Sequence, residues 1–505
     1  MAGALAVTLA LPSAPPAWAQ NALPSLGDGS GVELSVGAER KLGEQIMREI
    51  RRDPDYVDDP IELEYLQSIF QALLQAARQR GNIDPATDAL YAWEPFLVRD
   101  RTVNAFALPG GYVGVHLGMI AVTTTRDELA SVLAHEMSHV TQRHIARMMV
   151  NSSRQSLLGM AAMILGALAA TKVRGDAGSA IMASGQAAAM QGQINFTRDM
   201  EREADRVGFG LLAPGGFQPS GMAAMFERLG QASSLNDNSS YPYLRSHPLT
   251  TERIGEARAR LGTAAATPPS AVSPLEHAAA RGRARVLMEP RDDELRRWQA
   301  LDHDTTAVSD ADKLSAAYES ALASTLLRDW ARADASLVVA RNIARPVPAA
   351  EREVALLTAQ SQLARGEAAA AVQTLQPYAG KGSRAVMLML AQASLSGKAP
   401  ERAGLEKNAG DLQTWLASHP RDSDAWSSLS RIWDRLGFPL RTIRADAESR
   451  ASEGDLPGAV DRLRAAQRLA HNTPSVDFID ASVIDARLRD LEIERKAQEK
   501  EKPLD

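Results

Sequence analysis

Apolar side chains recur at helical spacing along most of this chain. Between Ser35 and Arg52 they fall at Leu42, Ile46 and Ile50, four residues apart, which predicts a helix with one buried face. A second helix is predicted from about Ile61 to Arg80, with Leu63, Leu66, Ile69, Phe70, Leu73 and Leu74 in one stripe. The period then shortens. Phe96 to Val98, Val103 to Leu108 and Tyr112 to His116 read as short strands, and Pro109-Gly110-Gly111 reads as the turn between the last two.

Helical spacing returns at Thr125, where Thr125-Arg126-Asp127-Glu128 has the form of a capping box. The helix it opens is predicted to run through His135 to about Met149. An Ala-, Gly- and Met-rich stretch over 157–190 reads as two helices around a loop at Gly175 and Gly178. Its longest apolar run, Leu157 to Ala170, is shorter than the ~20 residues a membrane-spanning helix needs. A further helix is predicted from about Thr197 to Leu212, stopped near Pro214-Gly215-Gly216.

A linker is read over 262–300, Pro-rich at its start. Beyond it a pattern repeats. Arg328-Asp329, Gly366-Glu367 and Gly454-Asp455 are each followed by Ala at +5 and Leu at +9, as Ala333/Leu337, Ala371/Leu375 and Ala459/Leu463. The small residue lets two helices approach and the Leu fills the groove between them. The spacing of the first two copies is close to the ~34-residue period of tetratricopeptide repeats. The plainer alternative is an ordinary helical bundle. Alternating charge over 487–505 reads as a solvated helical tail.

Composition narrows the function classes. The net charge of −6 lacks the basic excess of a nucleic-acid binder. Zero cysteines exclude a disulfide scaffold, a Cys-ligated zinc finger, an iron–sulfur protein and a thiol nucleophile. Few aromatics among many Ala and Leu favour a mainly α fold. Residues 1–19 read as a signal peptide: an apolar core from Gly3 to Leu11, then Ala17-Trp18-Ala19 before Gln20, although no Lys or Arg precedes Arg40. Residues 20–34 read as a flexible lead-in.

One motif carries chemistry. His135-Glu136-Met137-Ser138-His139 is H-E-x-x-H within a predicted helix, so the two imidazoles lie one above the other and can share one ion. Zinc would lower the pKa of a bound water to about 7, and Glu136 can take its proton. A catalytic zinc needs a third protein ligand. Of the remaining His, His144 is expected to point away from the His135/His139 face in a packing or capping role, and His116 to be structural. His277, His303, His419 and His471 lie at or beyond the linker without motif context. That leaves His247 or an acid. Glu201 and Asp205, in Met200-Glu201-Arg202-Glu203-Ala204-Asp205, share a helix face: Glu201 could ligate and Asp205 could orient a ligating imidazole. Glu203 falls opposite and is expected in solvent.

HEMSH, with EREAD about sixty residues on, resembles the zinc metallopeptidases that include the prenyl-protein (CAAX) endopeptidases and the HtpX heat-shock proteases. Asn104 to Gly111 (NAFALPGG), Ser246-His247-Pro248 and the C-terminal repeats resemble their soluble periplasmic branch, the beta-barrel assembly-enhancing proteases. The resemblance implies a gluzincin-type fold over 35–261 with a small β-sheet, followed by a tetratricopeptide-like array over 301–486. It implies one zinc ion on His135, His139 and Glu201, with Glu136 as general base. Asp205 matches an acid often given a proton-donor role, although a buried Asp near zinc should be ionised and suit an orienting role better. His247 would either stabilise the oxyanion or fill the fourth zinc position as a gate. The strand before Pro109 would pair with an extended substrate. The implied setting is the periplasm, with unfolded or stalled outer-membrane proteins as substrates and the barrel-assembly machinery as a partner of the array. The rival reading is a chaperone or adaptor with a closed or vestigial metal site.

Overall fold

The computed structural model describes residues 34–149, 197–235, 241–264, 273–303, 306–396, 401–472 and 477–501. The signal peptide, nearly all of the lead-in, the 157–190 stretch and part of the linker lie outside them.

The N-terminal half is built around one buried helix. Helix α1 (Val36–Ile50) leads to β1 (Tyr56–Val57), then α2 (Pro60–Gln79) and α3 (Pro85–Leu90). Strands β2 (Glu94–Val98), β3 (Ala105–Leu108) and β4 (Tyr112–His116) follow, then α4 (Leu117–Val122) and α5 (Arg126–Thr141). The sheet order is β1-β2-β4-β3, with β2 parallel to β4 and β3 antiparallel to it. Strand β3 is therefore an edge. The turn into β4 places Gly110 and Gly111 at positive φ, where a side chain would be strained. A Cβ on Gly110 would also meet the α1 backbone at Arg40, 3.0 Å away. Strand β1, too short to leave a periodic signal, was not foreseen.

Every α5 residue from Glu128 to Val140 is buried. Such a helix has no polar face, so its amphipathic pattern is weak and its caps define it. Thr125 Oγ1 accepts from Glu128 N at 3.2 Å, and the Glu128 carboxylate reaches back to Thr124 N at 2.7 Å.

The helix does not continue to Met149. It ends at Thr141, Arg143 is left-handed at φ 51°, and a short α6 (His144–Met149) restarts the chain. A left-handed non-glycine costs roughly 1–2 kcal/mol. Here Glu39 offsets it, its Oε2 accepting from Arg143 Nε at 2.8 Å. Helices α7 (Arg198–Leu212), α8 (Ser220–Leu235), α9 (Pro242–Ser246) and α10 (Thr251–Ala264) complete this half.

Most of the described part of the expected linker is structured. Helices α11 (Leu275–Met288) and α12 (Asp292–Gln299) occupy it, and α11 packs on α4 and on the next helix. Its ten buried residues include Arg283. The array then runs through α13 (Asp310–Leu326), α14 (Trp330–Ala344), α15 (Pro348–Ala364), α16 (Ala368–Leu375), α17 (Arg384–Ser396), α18 (Arg402–Ser418), α19 (Ser423–Leu436), α20 (Pro439–Ser452), α21 (Leu456–Asn472) and α22 (Phe478–Glu501). Successive helices pack on each other, and α13 on α15, α15 on α17 and α17 on α19. This is the nearest-neighbour stacking of a helical solenoid. The repeated Ala and Leu are all buried. Each copy opens on a left-handed residue, at Arg328, Gly366 or Gly454. The tail helix α22 is not wholly solvated, because Leu488 and Leu491 are buried.

Helix α11 and the array together grip the N-terminal end of α2. Arg283 holds Asp59 at 2.7 and 2.6 Å, Arg384 holds Asp58 at 2.6 and 2.8 Å, and Ile61 packs among Leu356, Ala359 and Met389.

Candidate metal centre

Helix α5 presents His135 and His139 one turn apart on its buried surface. Their Nε2 atoms lie 3.0 Å from each other. Helix α7 crosses α5 closely because Gly208 has no side chain: a Cβ there would sit 3.0 Å from the Ala134 backbone. That approach delivers Glu201, whose Oε2 is 3.5 Å from His135 Nε2 and whose Oε1 is 3.5 Å from His139 Nε2. The segment after α9 brings His247, with Nδ1 at 2.9 Å from Glu201 Oε1 and 3.3 Å from His135 Nε2. One ligand atom from each of these four buried residues falls within 4.8 Å of all the others.

The donor set fits a zinc ion. Bonds of about 2.0–2.1 Å at a tetrahedral centre place ligand atoms roughly 3.3 Å apart, close to the separations here. Nitrogen and oxygen donors are what a cysteine-free chain has to offer.

Glu136 is fully buried beside this cluster, with His247 Nε2 at 3.5 Å from its Oε1. Tyr243 also interacts with this carboxylate through its side chain. Burial raises its carboxyl above the usual range, with His247 and His135 opposing. Asp205 stands behind His135, Oδ1 to Nδ1 at 2.9 Å. Burial disfavours its charge, yet Arg253 and His135 together hold it below the usual range. Burial likewise opposes charge on His135, but Asp205 and Glu201 push it up to about 10.

Sequence reasoning missed four residues here. Arg253, on α10, grips Asp205, reaches Glu201 Oε2 at 2.9 Å and donates to Pro248 O at 2.9 Å. Tyr243 is buried against His247, ring centroids 4.7 Å apart. Neither carries a motif, so no signal marked them. His144, expected to point away, lies with Nδ1 at 2.9 Å from His139 Nδ1. Glu203, expected in solvent, is half-buried against His144 Nε2 at 3.1 Å. The His144 expectation assumed an unbroken helix; the left-handed turn at Arg143 swings His144 back beneath His139, where it meets the face of α7 that carries Glu203.

Comparison with known proteins agrees with this geometry. Residues 60–261 match the model of peptidase family M48. This domain belongs to peptidase family M48. The beta-barrel assembly-enhancing protease of Escherichia coli K12 is 28% identical over 97% of this chain and 94% of its own length. Its Yersinia pestis counterpart is 29% identical over 88% and 87%. A Vibrio cholerae relative is 37% identical, but that alignment spans only 53% of either chain. The mitochondrial metalloendopeptidase OMA1 of Saccharomyces cerevisiae is 28% identical over 44% of this chain. The M48 domain and its buried metal-binding cluster make the chain a metalloprotease. No helix among the described residues is long and apolar enough to cross a membrane.

Proposed function

We propose that this metalloprotease is a zinc-dependent endopeptidase of the periplasm that cleaves unfolded or misassembled outer-membrane proteins. The convergence of His135, His139 and Glu201 beside the buried carboxylate of Glu136 carries this reading. The relatives aligned over most of their length are named beta-barrel assembly-enhancing proteases, which supports a role in barrel assembly. His135, His139 and Glu201 would hold the ion, which when bound supplies a Lewis acid and a water acidified to about pKa 7. Glu136 would take the proton of the attacking water on its carboxylate and pass it towards the leaving amine. Asp205, fixed by Arg253, orients His135 and acts as a positioning acid, since an Asp bonded to Arg keeps its charge. Strand β3, at the sheet edge, offers its backbone to an extended substrate.

His247 fits the gate better than the oxyanion role. Its Nδ1 lies among the other ligand atoms rather than facing a space beside them. A His in the fourth position would withhold it from water and hold the site at rest. This observation also favours a second reading, an adaptor whose closed site never opens. The array would recruit clients or the barrel-assembly machinery through its helical surface in either case. The domain limits we propose are a peptidase half to residue 261 and a tetratricopeptide-like array over 301–486, preceded by a signal peptide over 1–19. Digestion of casein and of a misfolded barrel by wild type and His247→Ala tests the gate. Faster cleavage by His247→Ala supports it; slower cleavage supports the oxyanion role. Client binding with no cleavage by any variant supports the adaptor.

A further inference from the structure

We infer that His144 and Glu203 form a hydrogen-bonded relay that fixes the tautomer and orientation of His139, and so act as positioning residues for the metal site. This rests on the zinc reading above.

The directions of the bonds follow from the geometry. His139 turns Nε2 towards His135 and Glu201, so Nε2 must keep its lone pair to bind a metal. Its proton then sits on Nδ1. The atom facing Nδ1 is His144 Nδ1, at 2.9 Å, which must accept. His144 therefore carries its own proton on Nε2 and donates it to Glu203 Oε2 at 3.1 Å. Glu203 Oε2 also accepts from Arg147 Nη1 at 2.9 Å, so its carboxylate is paired with a guanidinium. An ionised carboxylate only accepts, so the acid at the far end sets both rings. Without it, His144 could place its proton on Nδ1, and two N–H groups would then face each other across the 2.9 Å contact.

The relay mirrors the support of the other imidazole. His135 Nδ1 meets Asp205 directly, while His139 Nδ1 meets Glu203 through an interposed ring. One helix thus supplies a ligand at 201 and the anchoring acids of both histidines at 203 and 205. A merely capping or packing His144 would need neither this polarity nor an acid beyond it.

The test measures zinc affinity of the purified full chain by competition with a chromophoric chelator, together with kcat, KM and the unfolding midpoint of metal-free protein. Second-sphere partners are typically worth about 10–100-fold in metal affinity. We expect losses in that range for His144→Ala and Glu203→Ala, with kcat falling and KM little changed. His144→Gln should recover most of the affinity, because an amide offers the same acceptor and donor. His277→Ala serves as the control: it removes a buried imidazole bonded to Tyr65 at 2.7 Å, away from the site. It should lower the unfolding midpoint and leave zinc affinity unchanged. If His144→Ala and Glu203→Ala bind zinc as wild type does, or His277→Ala loses as much affinity, the relay is overturned. If wild type itself holds no zinc, the metal reading falls and the relay falls with it.

Discussion

Arg253 holds Asp205 with two parallel hydrogen bonds, Nε to Oδ2 at 2.7 Å and Nη2 to Oδ1 at 2.8 Å, both groups buried. The same guanidinium reaches Glu201 and the Pro248 carbonyl. It therefore ties the helix that supplies a ligand to the segment that supplies His247. Removing one partner of a buried pair leaves an uncompensated charge and costs about 3–5 kcal/mol. Arg253→Met should lose stability of that order in urea unfolding and weaken zinc retention. A loss within about 0.5 kcal/mol, typical of plain surface positions, would contradict the clamp.

Gly208 sets the approach of α7 to α5. A methyl group there meets the Ala134 backbone, which has no flexible end to yield. Gly208→Ala should cost about 1–3 kcal/mol by overpacking. It should also lower zinc affinity, because the displaced helix carries Glu201. Affinity equal to wild type would show that the two helices can separate without disturbing the ligands.

Arg283 is fully buried and joins Asp59, Tyr318 and Gln360. Arg283→Ala should strip Asp59 of its partner and loosen the array from α2. Limited proteolysis should then cut between the two halves sooner than in wild type. An unchanged cleavage pattern would mean that the apolar contacts around Ile61 suffice.

Glu353 lies at the same junction, and burial, with Glu276 and Glu64 adding to it against Arg352, pushes its carboxyl up to about 8. Glu62 is raised in the same direction by burial and by Asp59. A raised acid binds more protons in the folded state, so its contribution is fully present below the ordinary value near 4.5. It is lost as pH rises through about 8. Stability should therefore fall over that window, and Glu62→Gln with Glu353→Gln should flatten the slope. A slope the same in the double variant would place its origin elsewhere.

The metal motif was legible because H-E-x-x-H needs only the helical period to bring two imidazoles together. That period put Glu201 and Asp205 on one face, but a charged helix face explains this about as well. It was the family resemblance that implied Glu201 as the third ligand. What the sequence withheld were contacts set by breaks in that period. His144 depends on one left-handed residue, Arg143, and Arg143 depends on Glu39, about a hundred positions away. Arg253 and Tyr243 reach the site through folding of segments that have no motif. In the array, Ala333, Ala371 and Ala459 announced close helix contacts. Arg283, by contrast, lay in a stretch read as linker, because a buried arginine is visible only once its acid partner is in place.

The central claim is that Glu136 takes a proton at a zinc held by His135, His139 and Glu201. It is tested most directly by casein digestion with wild type and Glu136→Gln, each analysed for bound metal. The account predicts about one zinc per chain in both and loss of proteolysis in Glu136→Gln. Cleavage by Glu136→Gln at the wild-type rate, with zinc bound, would contradict it.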